Sequence, residues 1–154
     1  MKVVLMFLAL SVCLITNAKS TNNDLIQEEM AAVQNYKQVI EKVKDHSELS
    51  QLRLIQQNHS MAVEILRKYV TFETNLKTKT AGVWGAFTKA YTGSAKLFGN
   101  SSAMRALRQV EIHGLEEYRE YLKNEKVDPK LKADIRNKLI PMQELHIKTI
   151  SRFI

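Results

Sequence analysis

The chain has 154 residues, a formal net charge of +7 and 45% hydrophobic residues, a length typical of one domain with enough apolar surface for a packed core. Its basic residues are scattered along the sequence and form no single stripe, which argues against a nucleic-acid partner. The one cysteine is Cys13, and the chain has only five glycines and two prolines, so we expect long helices without disulfide or thiol chemistry.

Residues 1–18 have the pattern of a secretory signal peptide. Lys2 precedes an apolar run over residues 3–15, and Ala18 is small enough for a signal-peptidase site. As a helix this run would cover about 20 Å, less than the roughly 30 Å of a bilayer's hydrocarbon core, so a retained anchor is the poorer interpretation. We therefore predict a signal peptide at 1–18 and a mature domain at 19–154, exported to the periplasm or secreted.

A lipoprotein is the alternative for this N-terminal segment. Residues 10–13 read Leu-Ser-Val-Cys, which resembles a bacterial lipobox that would place a lipid on Cys13. Val12 is bulky where a lipobox usually has a small residue, so we favour simple cleavage.

The first half of the mature chain predicts two antiparallel helices. Inward-facing positions recur at steps of three and four residues, and residues 22–24 supply candidate N-cap oxygens. The first stripe consists of Ile26, Glu29, Val33, Tyr36, Ile40 and Val43. The second consists of Leu49, Leu52, Gln56, His59, Val63, Leu66 and Val70. The turn at 45–47 is too short for anything except an antiparallel return.

A long crossover of about 27 residues, 75–101, follows the second helix and can run the length of a bundle. Aromatic residues recur in it at helical spacing, so we predict a short extra helix packed on the bundle. The alternative is that its aromatic face contacts a membrane surface. That face consists of Trp84, Phe87 and Tyr91.

The second half predicts two more helices. Ser101 and Ser102 are candidate caps for the third, whose stripe consists of Met104, Leu107, Glu111, Gly114, Tyr118 and Tyr121. Asp128 as N-cap and Pro129 at the first helical position begin the fourth. Its stripe consists of Leu131, Ile135, Leu139, Met142, His146, Ile150 and Phe153. Pro141 lies inside this helix and should kink it near Lys138, because proline cannot donate a backbone hydrogen bond.

The two halves repeat one arrangement of polar residues. In each half a Glu is followed seven residues later by a Tyr, and one helix later by Gln-x-x-His. A duplicated helical hairpin would leave such a repeat. The residues are Glu29, Tyr36, Gln56 and His59 in the first half, and Glu111, Tyr118, Gln143 and His146 in the second.

Several segments carry a family resemblance. They are Asp24-Leu25-Ile26, the stretch from Tyr36-Lys37 to Val43-Lys44-Asp45, and GVWGAFTKAYTGSAKLFGN leading into Glu111 and Glu117-Tyr118. Over residues 23–154 the chain resembles the ferritin-like superfamily, specifically a family of bacterial four-helix-bundle proteins catalogued as a domain of unknown function. The resemblance implies an all-α, ferritin-like four-helix bundle of two antiparallel hairpins, with a long crossover and a short extra helix between helices 2 and 3. The family has no established activity, so the resemblance implies none for this chain.

The repeat also suggests a metal site. In ferritin-like di-iron proteins two helices each supply a Glu and two each supply Glu-x-x-His; here Gln56 and Gln143 stand where that motif has glutamates. Two carboxylates cannot balance two iron ions, and a neutral amide is a poor bridge between hard cations, so we do not expect a di-iron centre. A single Zn, Mn or Fe ion suits the remaining set. Its candidate ligands are Glu29, His59, Glu111 and His146.

Counting residues from each turn indicates that only the two ligands of the second hairpin, Glu111 and His146, lie at the same level along the bundle. Glu111 lies about 16 residues before Val127 and His146 about 19 after it, which is level within roughly 5 Å. Glu29 lies 17 residues before His46 but His59 only 13 after it, a mismatch of about 6 Å. The alternative to a metal is a partly hydrated core in which tyrosine, glutamine and histidine side chains hydrogen-bond the two carboxyl groups.

Two functional hypotheses stay open. The sequence has no Gly-rich phosphate loop, nucleophile elbow or Cys-His pair, so we favour a non-enzymatic exported module that binds an unknown protein or envelope component and needs no cofactor. The alternative is a ferritin-like protein that binds a single divalent metal ion, or a redox protein. A homo-oligomer is compatible with both.

Overall fold

The computed structural model describes residues 21–70, 85–87 and 100–154, and all regular structure in these ranges is helical. Among the described residues, no helix combines the length and the apolar character that a membrane crossing requires. The predicted signal peptide with Cys13, and most of the crossover including Trp84 and Tyr91, lie outside the described residues.

Helix α1 (Asn22–Ile40) begins with a capping box. The Thr21 hydroxyl accepts a hydrogen bond from the backbone N–H of Asp24 at 3.2 Å, and the Asp24 carboxylate accepts one from the Thr21 N–H at 2.9 Å. The predicted N-cap within 22–24 is therefore wrong by one residue, because a hydroxyl followed three residues later by a carboxylate satisfies two end groups at once.

Helix α2 (His46–Arg67) follows a short turn over residues 41–45 and packs along α1. The Asp45 carboxylate accepts hydrogen bonds from the backbone N–H groups of Ser47 and Glu48 at 2.8 and 2.9 Å. Asp45 is thus the N-cap of α2, and the turn directs α2 back along α1.

Helix α3 (Asn100–Leu122) packs against the C-terminal helical segment. It has already begun at Asn100, so Ser101 and Ser102 lie in its first turn and the prediction that they cap it is wrong. The C-terminal segment begins as predicted, with Asp128 as N-cap and Pro129 at the first helical position.

The C-terminal segment contains a π-helical turn. Helix α4 (Pro129–Asp134) runs into a π-helix (Ile135–Leu139), which continues as α5 (Ile140–Ile150) and a 3₁₀ turn (Ser151–Phe153). The N–H of Ile140 donates to the carbonyl of Ile135. The turn directly precedes Pro141, whose ring crowds the turn before it, and a π turn is a common way to absorb such an irregularity.

The described residues form two apolar clusters in the interior, and each cluster draws residues from α1, α2, α3 and the C-terminal segment. The first includes Tyr36, Leu52, Phe87, Met104, Leu107 and Ile150. The second includes Ile26, Leu66, Tyr118, Leu131 and Ile135. Phe87 is buried in the first cluster, as a packed crossover helix predicts, so it does not face outward as the predicted membrane contact through Trp84, Phe87 and Tyr91 requires. The contact through Trp84 and Tyr91 stays a prediction.

A layer of buried polar residues lies between the two clusters along every helix. On α1 the chain passes from the second cluster through Glu29 to the first, whereas on α2 it passes from the first through His59 to the second. On α3 the chain passes from the first cluster through Glu111 to the second. On the C-terminal segment it passes from the second cluster through His146 to the first. Four helical segments therefore bring their polar residues to one level of the core.

Candidate metal centre

The four residues predicted from the sequence as ligands lie together in the interior. Glu29, His59, Glu111 and His146 are exposed by only 7%, 2%, 0% and 1% of their surfaces. Each belongs to a stripe position whose neighbours along the helix are core residues, so the helix period directs its side chain inward. Burial of this many ionisable groups is costly unless they are paired, and the contacts among them supply that pairing.

His59 joins the two carboxyl groups. Its Nδ1 lies 2.6 Å from Glu29 Oε2, and its Nε2 lies 3.1 Å from Glu111 Oε1. The predicted difference of about 6 Å in level between Glu29 and His59 along the bundle is therefore wrong. His46 is the first residue of α2 and not the centre of the turn; counted from the helix ends, Glu29 and His59 differ in level by only about 3 Å.

His146 and Gln143 contact the same carboxyl group from the C-terminal segment. His146 Nδ1 lies 3.3 Å from Glu111 Oε2, while its Nε2 lies 3.1 Å from Asn58 Nδ2. Because an amide nitrogen only donates, this contact places a lone pair on Nε2 and the proton on Nδ1. The Gln143 amide donates to the carbonyl of Glu111 at 3.0 Å and to its carboxylate at 2.5 Å.

The two tyrosines of the repeat exchange partners between the halves. The Tyr36 hydroxyl donates to Glu111 Oε1, and the Tyr118 hydroxyl donates to Glu29 Oε1, each at 2.5 Å. A Glu and a Tyr seven residues apart on one helix are separated by about 10 Å along its axis. Neither tyrosine can therefore reach the carboxyl group of its own helix, and each bonds the one on a facing helix.

The electrostatics of the cluster favour a protonated His59 beside an ionised Glu111. Burial lowers the pKa of His59, but the attraction of Glu111 and Glu29 outweighs it and raises the pKa to about 10. Burial also raises the pKa of Glu111, but the charge of His59 and the hydrogen bonds from both histidines hold it well below its usual range. Burial and the nearby carboxylates raise the pKa of Tyr36 and Tyr118, so their hydroxyls stay protonated and donate.

Three residues of the cluster could hold a metal ion. One ligand atom from each of His59, Glu111 and His146 lies within 4.8 Å of the others. His59 Nε2 and His146 Nδ1 lie 3.1 and 3.3 Å from the two different oxygens of Glu111, and ligand atoms around a tetrahedral zinc ion are about 3.4 Å apart. Two imidazoles and one carboxylate are donor types that a single divalent ion accepts.

Glu29 lies outside this group of three, since it contacts the far nitrogen of His59. A carboxylate in that position orients a metal-binding imidazole and raises its basicity. Gln56 donates to the carbonyl of Val33 at 3.0 Å, and Gln143 presents its NH₂ group to Glu111. Neither amide offers an oxygen to the cluster, so the residues do not fit a di-iron centre.

Asn58 belongs to the site although the sequence did not reveal it. It is buried and contacts His146 across helices, but it lies one residue off the inward stripe of α2. The sequence feature that could have indicated Asn58 is its position next to His59, on the side of α2 that faces the C-terminal segment.

A family model described as Domain of unknown function (DUF2383) matches residues 18–124, more than half of the chain. The match confirms the predicted relationship to a domain of unknown function. It includes Glu29, His59 and Glu111 and ends before His146. No curated protein and no solved structure matches the chain.

Proposed function

This chain belongs to the family described as Domain of unknown function (DUF2383), and from that premise we propose that it binds a single divalent metal ion through His59, Glu111 and His146. The observation that carries the proposal is the convergence of these three buried side chains within 4.8 Å. A buried ionic cluster is rarely more stable than an apolar core of the same volume. Its presence therefore favours a functional role over a purely structural one.

The surrounding residues have separate tasks in this proposal. Glu29 orients His59 through Nδ1. Asn58 contacts His146 Nε2; an ion at Nδ1 would leave the ring's proton on Nε2, so the Asn58 amide would then present its oxygen to that proton. Tyr36 and Gln143 fix the two oxygens of Glu111. A bound ion would supply Lewis acidity or, if it were iron or manganese, a one-electron couple. Two imidazoles and one carboxylate suit zinc, manganese or ferrous iron.

We also propose that the helices form a ferritin-like four-helix bundle. The reversal of cluster order between α1 and α2, and between α3 and the C-terminal segment, supports two antiparallel hairpins joined by the crossover. Ferritin-like bundles place their metal ligands on facing helices in the bundle core, which is where the polar layer lies. The pattern of residues 1–18 supports an exported setting, periplasmic or secreted, for this protein.

A binding role for a protein or envelope partner is the second candidate function. Leu54 and Met61 favour it, because they lie seven residues apart on one face of α2 and are exposed by 48% and 53%. Contiguous exposed apolar patches mark interaction surfaces, and Leu54 and Met61 would belong to such a patch on this face. This role and metal binding are compatible in one molecule.

Metal binding is tested by titrating the full chain, purified without chelator, with Zn²⁺, Mn²⁺ and Fe²⁺ in a calorimeter. We expect one ion per chain, and a loss of affinity of more than about 100-fold in Glu111→Gln or His146→Gln. Glu29→Gln should keep the stoichiometry and lose about 10- to 100-fold. His46→Gln, a surface histidine at the start of α2, is the matched control. A wild-type chain that binds none of the three ions would contradict the proposal.

A further inference from the structure

We infer that the metal ion reaches the buried site through a cleft between α1 and α3, whose rim is formed by Glu28, His113 and Glu117. The inference rests on the proposed function, since it describes how an ion reaches the site. It concerns residues that the ligand cluster itself does not use.

The cleft connects the surface with the cluster. A cavity of about 20 Å³ is bordered by Glu29, His59 and Gln143 on the inside and by the three rim residues on the outside. The side chains of His113 and Glu117 are exposed by 45% and 30%, whereas that of His59 is exposed by 2%. A space of this size holds about one water molecule, so it can also accommodate a divalent ion that has lost most of its hydration shell.

Gly114 keeps the cleft open. It faces the cavity between the two rim residues of α3, and a Cβ atom at this position would lie 3.0 Å from Gln143 Nε2. A side chain there would either narrow the cleft or displace the amide that holds Glu111. The absence of a side chain at Gly114 thus leaves the space between rim and cluster free.

Carboxyl groups follow the cleft inward. Glu28 and Glu117 lie at the rim, Glu29 borders the cavity one residue further along α1, and Glu111 lies at the ligand cluster. Oxygen ligands of this kind can replace water molecules that a divalent ion loses on its way in. The ion therefore meets three carboxylates and the imidazole of His59 along the cleft, and Glu111 and His146 lie beyond them.

The charge of the rim contrasts with that of the molecule as a whole. The chain has a formal net charge of +7, which disfavours the approach of cations. At physiological ionic strength charges are screened beyond about 8 Å, so the local acidic rim decides the approach of an ion. The rim carries two carboxylates, Glu28 and Glu117, the second of which lies 3.4 Å from His113 Nε2, and carboxylates at the mouth of a narrow cleft concentrate cations there. The positive charge further in is that of His59, whose proton the incoming ion displaces. We therefore expect the rim to set the rate of metal uptake.

The test measures the association rate of Co²⁺ with the full chain by stopped-flow absorbance. The double variant Glu28→Gln with Glu117→Gln should bind about 10-fold more slowly at low ionic strength, with the band positions of the cobalt spectrum unchanged. Added salt should slow the wild type and have little effect on this variant. Glu64→Gln, which removes a carboxylate that is 69% exposed on α2, is the matched control and should keep the wild-type rate.

A second variant tests the route by obstruction. Gly114→Ala should slow association and dissociation of Co²⁺ by the same factor at every salt concentration, because a narrower route obstructs the ion in both directions and leaves the dissociation constant unchanged. The inference is overturned if wild type binds Co²⁺ and both variants keep its rate within about 2-fold, or if Glu64→Gln slows binding equally; metal binding itself then stands. A wild-type chain that binds no Co²⁺, Zn²⁺, Mn²⁺ or Fe²⁺ overturns both the route and the proposed function.

Discussion

At the scale of single residues, the charge balance of the interior depends on His59. Its ring contacts one carboxyl group from each half of the chain, and its neighbours raise its pKa to about 10. At neutral pH the ring therefore carries the proton that holds Glu29 and Glu111 together. A metal ion at Nε2 must displace that proton, so proton and metal compete for one atom.

The stability of the metal-free protein should depend on pH through His59. The pKa of His59 in the fold, about 10, lies above its usual value of 6.5. The protonated ring therefore stabilises the fold fully below about pH 6.5, and this stabilisation is lost as the pH rises through about 10. We expect the free energy of unfolding to fall by a few kcal/mol over that interval, as measured by urea denaturation with EDTA present.

The variant His59→Gln isolates this effect. It should be less stable than the wild type at pH 6.5, and the difference should shrink towards pH 10. His46→Gln, which changes an exposed histidine, should follow the wild-type pH dependence. Parallel curves for the wild type and His59→Gln would contradict the protonated state of His59.

The sequence predicted the members of the site better than their contacts. The stripes place Glu29, His59, Glu111 and His146 inward because a helix repeats every 3.6 residues, and a single chain is enough to read that period. Which side chains touch depends on the relative level of the helices, which the ends of α1 and α2 determine. The sequence marked those ends only within a residue or two, so the contact between Glu29 and His59 could not be predicted from counting.

At the scale of helices, the start of α2 fixes the level of His59 in the core. The Asp45 carboxylate accepts two backbone N–H groups there. We predict that Asp45→Ala lowers the free energy of unfolding by about 1 to 2 kcal/mol, because those groups lose their acceptor. Asp45→Asn keeps an acceptor oxygen and should lose less than about half of that.

Urea denaturation measures both variants against the wild type. Metal affinity should change little in either one, since the packing of α2 on α1 still holds His59 in place. A loss of less than about 0.5 kcal/mol in Asp45→Ala would show that solvent replaces the cap.

The π-helical turn sets the orientation of the last helix. It adds one residue to a helical turn, which rotates everything after it by about 100° relative to an uninterrupted α-helix. Gln143 and His146 both follow this turn, and both are buried in the interior. Pro141 predicts an irregularity in this helix. Whether that irregularity is a kink or a π-helical turn depends on how the side chains pack in the core, which the local sequence does not specify.

At the scale of the whole molecule, the described helices place a polar layer between two apolar clusters. The sequence predicted the helices and the inward stripes, since both follow from local periodicity and end signals. It did not predict the exchange of tyrosines, because that contact joins residues 75 and 89 positions apart. The layer is assembled only when all four helical segments meet.

Metal binding should therefore stabilise the entire fold. An ion at 100 times its dissociation constant adds about 2.7 kcal/mol to the free energy of unfolding, which raises the melting temperature of a domain of this size by roughly 5 to 10 °C. We expect this shift on adding Zn²⁺, measured by circular dichroism at 222 nm. The shift should be larger at pH 8 than at pH 6.5, because the ion displaces the His59 proton.

His146→Gln provides the comparison for this shift. It removes one ligand from the C-terminal segment, so its melting temperature should be the same with Zn²⁺ and with EDTA. An equal zinc-induced shift in His146→Gln and wild type would mean that the ion stabilises some other part of the chain.

The exchange of Tyr36 and Tyr118 makes the halves of the molecule depend on each other. The carboxyl group of each hairpin accepts a hydrogen bond from the tyrosine of the other hairpin. Neither hairpin alone therefore contains both partners of these buried hydrogen bonds. A solitary copy of such a hairpin would find the missing group only on a second copy, in a symmetric dimer. Inside the single chain the contact between the halves is therefore reciprocal, like the contact between the two subunits of a symmetric dimer.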